Sequence, residues 1–195
     1  MQYYTEEMIL NRQFLNLAKN MKATRPHQIL CGGITEVYYQ DKVLYVSVVL
    51  DTYSRKILAY HVSDYEGAPL IIDTIDKLNV FENDCIFHSY LKFPYYKLDV
   101  EEILETKNLI QSFEDRQRIQ KGQSSPCTYL TSFFSSFKCE CIYYGIPNPR
   151  TISKKVMIEA ICKYMSYYNL ERMHSSLNYA TPDAFEKKYF KKLNE

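Results

Sequence analysis

Between residues 43 and 50 the chain reads Val-Leu-Tyr-Val-Ser-Val-Val-Leu, an almost continuously apolar run rich in β-branched residues. A strand of this kind has no face suited to water, so both of its faces must be covered. That requirement excludes an all-helical bundle and calls for a sheet with helices packed on both sides. The flanking segments agree. Ile34 to Tyr39 and Lys56 to Val62 are also rich in β-branched and aromatic residues, with Gln40-Asp41-Lys42 and Thr52 to Arg55 as short polar turns. Three antiparallel strands in a meander are expected, the apolar run in the middle.

After the meander the period changes. Gly67 opens a helical pattern through Leu70, Ile71, Ile72, Ile75 and Leu78 that leads into a fourth strand at Cys85 to His88. Strand, crossover helix and returning strand make a right-handed unit with parallel pairing. Asp99 to Lys107 reads as a short acidic helix, Leu109 to Phe113 as a fifth strand and Glu114 to Ser125 as a polar loop. Phe133, Phe134, Phe137 and Cys141 share one helical face, and Ser153 to Asn169 forms another amphipathic helix. At the start, Thr5 caps a helix whose Leu10, Phe14, Leu17 and Met21 form one apolar stripe, either a helical arm or a partner surface through which two copies would associate. With 195 residues, 46% of them hydrophobic, one sizeable core is expected. The expected divisions are an arm over 1–21, a core domain over 22–188 and a basic tail over 189–195.

Charge narrows the function. Lys and Arg number 24 against 23 acids, a net charge of +1, which excludes the profile of a dedicated nucleic-acid clamp. Binding to DNA must then come from a local patch. Residues 150–195 hold nine Lys or Arg against five acids, while residues 81–115 hold three Lys against eight acids. No apolar run approaches the roughly 20 residues of a bilayer span, and Glu6, Glu7 and Arg12 interrupt the first twenty residues, so a cytoplasmic protein without a membrane partner is expected. The six cysteines contain no Cys-x-x-Cys pair and no paired His spacing, which makes them reduced, mostly buried thiols. His88 reads as a packed strand-end histidine and Asp51 as a turn residue.

Several stretches carry a more specific signal. They are Ala23-Thr24-Arg25-Pro26-His27-Gln28-Ile29, Ile34-Thr35, Val49-Leu50-Asp51-Thr52-Tyr53-Ser54-Arg55-Lys56-Ile57, Ile86-Phe87-His88-Ser89 and Ser132-Phe133-Phe134 with Phe137-Lys138 and Glu140. The last is Tyr167-Tyr168-Asn169-Leu170-Glu171-Arg172-Met173-His174-Ser175-Ser176-Leu177-Asn178-Tyr179, followed by Thr181-Pro182. In this order they resemble the integrase-core transposases of bacterial insertion sequences, the DDE-type relatives of retroviral integrases. The resemblance implies an α/β, ribonuclease-H-like fold: a mixed five-stranded sheet flanked by helices. It also implies a two-Asp, one-Glu triad holding two Mg²⁺ for DNA strand transfer.

The triad is missing. The positions that match the family's acids are Gly33 before Ile34-Thr35, Tyr90 after His88-Ser89, and Thr131 before Ser132-Phe133-Phe134. Glu36 has the wrong strand parity to replace the first, and Asp84 is a strand length from Tyr90. Glu114 or Asp115 remain as acids that would rebuild a site in the loop. The expectation is a noncatalytic pseudoenzyme without Mg²⁺ or other cofactor, whose partner is DNA, bound weakly and without sequence preference, or an active transposase that it regulates. The alternatives are a protein-interaction module without DNA affinity and an enzyme with a remodelled site. Only about twenty residues precede the matching segment, so sequence-specific recognition of element ends by an upstream helix-turn-helix is not expected of this chain. Lys121 and Lys138 flank the vacated site, either as solvated lysines or as DNA backbone contacts. Arg172 and His174 either meet a phosphate, as the resemblance implies, or Arg172 anchors the C-terminal turn on Glu171 or Asp183. Lys187 and Lys188 complete the candidate nucleic-acid contacts.

Overall fold

The computed structural model describes residues 15–82, 85–92, 94–114 and 125–193. Most of the expected N-terminal arm, Asp84, Phe93, Asp115 and Lys121 therefore lie outside the described residues. Five strands, β1 (Ile29–Tyr39), β2 (Lys42–Asp51), β3 (Ile57–Ser63), β4 (Cys85–Tyr90) and β5 (Leu109–Glu114), form one sheet in the order β3-β2-β1-β4-β5. The first three are antiparallel, and β4 runs parallel to both β1 and β5. The apolar run is β2, in the interior of the sheet, as its composition requires.

Helices cover both faces. On one side α1 (Ala68–Asp76) and α2 (Leu98–Thr106) bury Ile71, Ile75, Val100 and Leu104 against Leu30, Val49 and Phe87. On the other, α3 (Cys127–Phe137), its π-helical continuation Lys138–Tyr144, and α4 (Lys154–Leu170) bury Leu130, Phe133, Phe137, Met157, Ile161 and Tyr168 against Cys31, Val46, Val48 and Leu50. Of the expected stripe, Phe133, Phe137 and Cys141 are buried and Phe134 is half-buried. Ser153 caps α4 by accepting from Val156 N. Helix α5 (Pro182–Leu193) starts at Pro182, with Thr181 Oγ1 accepting from Ala184 N at 3.2 Å.

Three boundaries differ from the sequence reading. β1 begins at Ile29, five residues before the expected start, because the Gly32-Gly33 pair marks close packing and not a break. A Cβ on Gly32 would collide with the fully buried Phe87 ring. Glu114 closes β5, paired with Tyr90, and does not lie in a loop. Residues 189–193 continue α5 and do not form a tail, since Tyr189 and Phe190 hold the helix by ring contacts to Tyr53 and His27.

Candidate functional site

Gly33 lies on β1, Tyr90 at the end of β4 and Thr131 on α3, and apolar side chains of α3 stand against Gly33. A Cβ on Gly33 would stand 2.6 Å from Leu130 Cδ2 and 3.3 Å from Phe134 Cε2. Tyr90 packs against the same apolar cluster. Thr131 is exposed and donates its hydroxyl to Cys127 O at 3.1 Å. Glu36 points away, exposed and accepting from the Tyr38 hydroxyl. The residues at the triad positions therefore do not fit a two-metal acidic centre, which needs converging carboxylates with room for cations.

One step beneath these positions the chain assembles something else. Cys31 on β1 is the cross-strand partner of His88 on β4, and His88 that of Ser112 on β5. Gly33 and Tyr90 lie two residues further along their strands, on the same face. Cys127 lies one helical turn before Thr131. A ring nitrogen of His88, a carboxylate oxygen of Glu114 and the Cys127 sulfur all lie within 4.8 Å of one another, the one such group of three among the described residues. All three side chains are buried, His88 at 0% exposure and Glu114 at 3%.

The surrounding hydrogen bonds fix this group. His88 Nδ1 lies 2.9 Å from Ser112 Oγ, which also accepts from Leu17 N at 3.0 Å. Ser125 donates its hydroxyl to Glu114 Oε2, and its oxygen accepts from Cys127 N at 3.2 Å. His88 Nε2 is 3.9 Å from Glu114 Oε2, beyond hydrogen-bonding distance, and is a buried nitrogen without a partner. A hydrogen bond from the Cys31 thiol, helped by the His88 ring, holds the Cys127 thiol down at about 6 against the burial that opposes ionisation. Cys31 itself is pushed up, chiefly by burial. His88 is packed near the strand end, as expected, with Ser112 beside its Nδ1. Its spacing from the other members hid the group.

The remaining sequence-selected residues serve the fold. Asp51, fully buried, accepts from Ser54 N at 2.9 Å, Ser54 Oγ at 2.6 Å and His27 N at 3.2 Å, as a turn residue should. Asn169 clamps α4 to β3 through both backbone groups of Ile57, each at 2.9 Å. Arg172 pairs with Glu140, Nη2 to Oε1 at 2.6 Å and Nε to Oε2 at 2.9 Å, and not with Glu171 or Asp183. His174 stacks edge-on against Tyr168 at 4.8 Å and bridges to Ala180. Lys187 reaches Asp183 at 2.7 Å, Lys188 is exposed, and Lys138 is half-buried on the π-helical segment. Asp183 also meets Lys56 at 2.9 Å, and Lys56 binds Glu186, so α5 is tied to the β2–β3 turn.

This C-terminal clamp is acid-sensitive. Burial, with Arg172 beside it, pushes His174 down to about 4, below the value of about 6.5 for an unfolded histidine. The unfolded chain therefore binds the extra proton first, and stability falls as pH drops from about 6.5 towards 4. The Arg172 guanidinium also holds Glu140 below the usual carboxylate range, a contribution lost at still lower pH. Thermal melts between pH 7 and 4.5 should show a falling midpoint, and His174→Gln should flatten that fall. Equal slopes in both proteins would contradict the assignment.

Residues 131–190, from Thr131 on α3 to α5, match the family model described as "Integrase core domain". Three curated transposases are similar across most of the chain. The putative transposase InsK of insertion sequence element IS150 from Escherichia coli (strain K12) is 27% identical over 170 residues, 85% of this chain and 56% of its own length. Transposase InsF of insertion sequence IS3A from the same organism is 28% identical over 176 residues, 88% of this chain and 58% of its own. The transposase of insertion sequence element IS904 from Lactococcus lactis subsp. lactis (strain IL1403) is 27% identical over 170 residues, 85% of this chain and 64% of its own.

The chain is similar to insertion-sequence transposases over most of its length, and its C-terminal part matches the integrase core model.

It spans about 56 to 64% of the length of those relatives. Solved structures agree on the fold. The HTLV-2 integrase catalytic core domain, in complex with magnesium, superposes with a TM-score of 0.63 at 13% identity, over 85% of this chain and 99% of that one. The catalytic core domain of BIV integrase gives 0.59 at 10% identity, over 87% and 99%. The fold is the ribonuclease-H-like one of retroviral integrase cores. No helix among the described residues is long and apolar enough to cross a membrane.

Proposed function

We propose that this integrase core is noncatalytic, holds no Mg²⁺ at the triad positions and is retained for binding in DNA transposition, where it modulates the reaction of an active transposase. The observation that carries this reading is the closure of the triad centre: Gly33 has no side chain because Leu130 and Phe134 occupy its place. A centre that merely lost its carboxylates would leave a hollow, whereas this one is packed with apolar groups while the Asn169 clamp and the Thr181-Pro182 cap are kept.

DNA contact in this reading is weak and sequence-tolerant. It comes from the basic C-terminal part, where Lys188, Lys191 and Lys192 are exposed on α5, with Lys138 and Lys121 as flanking contacts. Arg172 and His174 contribute little, because Arg172 is engaged by Glu140. Backbone-only binding of this kind has a Kd of about 10⁻⁴ to 10⁻⁶ M at physiological salt and weakens as salt rises. Titration of a labelled duplex at several salt concentrations tests it. Replacing Lys187, Lys188, Lys191 and Lys192 with Gln should weaken binding and flatten its salt dependence.

The second reading, a protein-interaction module without DNA affinity, is favoured by the internal pairing of Lys56, Lys187 and Arg172. No binding even at low salt would select it, whereas tight binding that salt leaves unchanged would contradict backbone-only contact and this second reading alike.

A further inference from the structure

We propose that His88, Glu114 and Cys127, with Cys31 completing a tetrahedron, form a structural site for a thiophilic divalent cation of the zinc type, built one layer beneath the vacated catalytic positions. The donor set decides the class of ion. Two sulfurs, one imidazole and one carboxylate suit Zn²⁺ and fit Mg²⁺ poorly, which prefers oxygen ligands and retained water.

The geometry supports a shared ion over a simple hydrogen-bonded network. Ligand atoms around one tetrahedral zinc stand about 3.3 to 3.8 Å apart, given bonds of about 2.0 to 2.3 Å. His88 Nε2 and Glu114 Oε2 are 3.9 Å apart, too long for a hydrogen bond and close to that spacing. The Cys127 sulfur lies within 4.8 Å of both ligand atoms, and Cys31, the cross-strand partner of His88, is the further buried thiol on the adjoining strand.

The surroundings are those of a metal site. In the tautomer that donates Nδ1–H to Ser112, His88 keeps a lone pair on Nε2, and Ser125 orients the Glu114 carboxylate. Without an ion, Nε2 is a fully buried polar atom with no partner, an arrangement that is destabilising. With two thiolates, one carboxylate and a neutral imidazole, the ligands carry three negative charges, which a divalent cation reduces to one. The four ligands come from β1, β4, β5 and α3, so an ion there would tie the sheet to the helix that seals the triad centre.

The test uses the full chain, purified reduced and without chelator. Metal analysis should find about one zinc per chain. After chelation, Co²⁺ should give tetrahedral d–d bands with thiolate-to-cobalt charge transfer, Zn²⁺ should displace it, and either ion should raise the melting temperature. Cys127→Ser and His88→Gln should each weaken binding about 100-fold or more, whereas Cys139→Ser, at an exposed thiol, should leave it unchanged. Should either ligand variant fail to fold, the wild-type cobalt spectrum decides alone. Lack of metal uptake, or cobalt binding without thiolate charge transfer, would each overturn the proposal.

Discussion

Reinstalling the three acids as Gly33→Asp, Tyr90→Asp and Thr131→Glu should yield a destabilised protein that still does not cleave DNA. The first substitution is the costly one. Its Cβ alone would stand 2.6 Å from Leu130 Cδ2, and Leu130 is 4% exposed with little room to retreat. Overpacking of this kind costs about 1 to 3 kcal/mol, and placing a carboxylate against Leu130 and Phe134 adds a similar amount. The restored acids would have side-chain carbon between them where cations and a phosphate need to sit. Adding Leu130→Ala should recover part of the lost stability in urea melts, and the coupling between positions 33 and 130 should appear in a double-mutant cycle. Mg²⁺-dependent cleavage by the triple variant with Leu130 intact would show that the centre is not closed.

Phe133→Ala should give the largest loss of stability expected of a single truncation. The ring is 2% exposed and touches those of Phe134, Phe137, Tyr164 and Tyr168, the last edge-on at 4.8 Å. It joins α3 to α4 over the sheet. Truncation of such a residue costs about 3 to 5 kcal/mol, a large part of the roughly 5 to 15 kcal/mol that holds a domain together. In a chain of this size the melting temperature should fall by roughly 10 °C. Phe134→Ala, at a half-buried neighbour, should cost less. Equal losses at the two positions would contradict the packing order described here.

What could be read from the sequence is what depends on neighbouring residues. β2 was legible because an uninterrupted apolar run specifies its own burial, and the Thr181-Pro182 helix start because capping is local. β1 was read five residues too short because Gly32 and Gly33 signal a break locally, while the groups that need their missing side chains, Phe87 and Leu130, are far along the chain. Arg172 and Asn169 stood out as motif residues, yet their partners Glu140 and Ile57 lie 32 and 112 residues away. The His88, Glu114 and Cys127 group was hidden for the same reason. No spacing rule links these positions, and they meet only through the β1–β4–β5 register and the first turn of α3. Gly33, Tyr90 and Thr131, by contrast, could be picked out because each sits beside a short local motif.

The proposed loss of strand cleavage is tested most directly by incubating the purified protein with supercoiled plasmid in Mg²⁺ or Mn²⁺. Loss of one member of a catalytic group can cost about 10⁴-fold or more, so with all three triad acids replaced nicking should not rise above a protein-free control. Metal-dependent nicking that co-purifies with the chain and disappears on Glu114→Gln would contradict the account and place an active centre at the buried cluster.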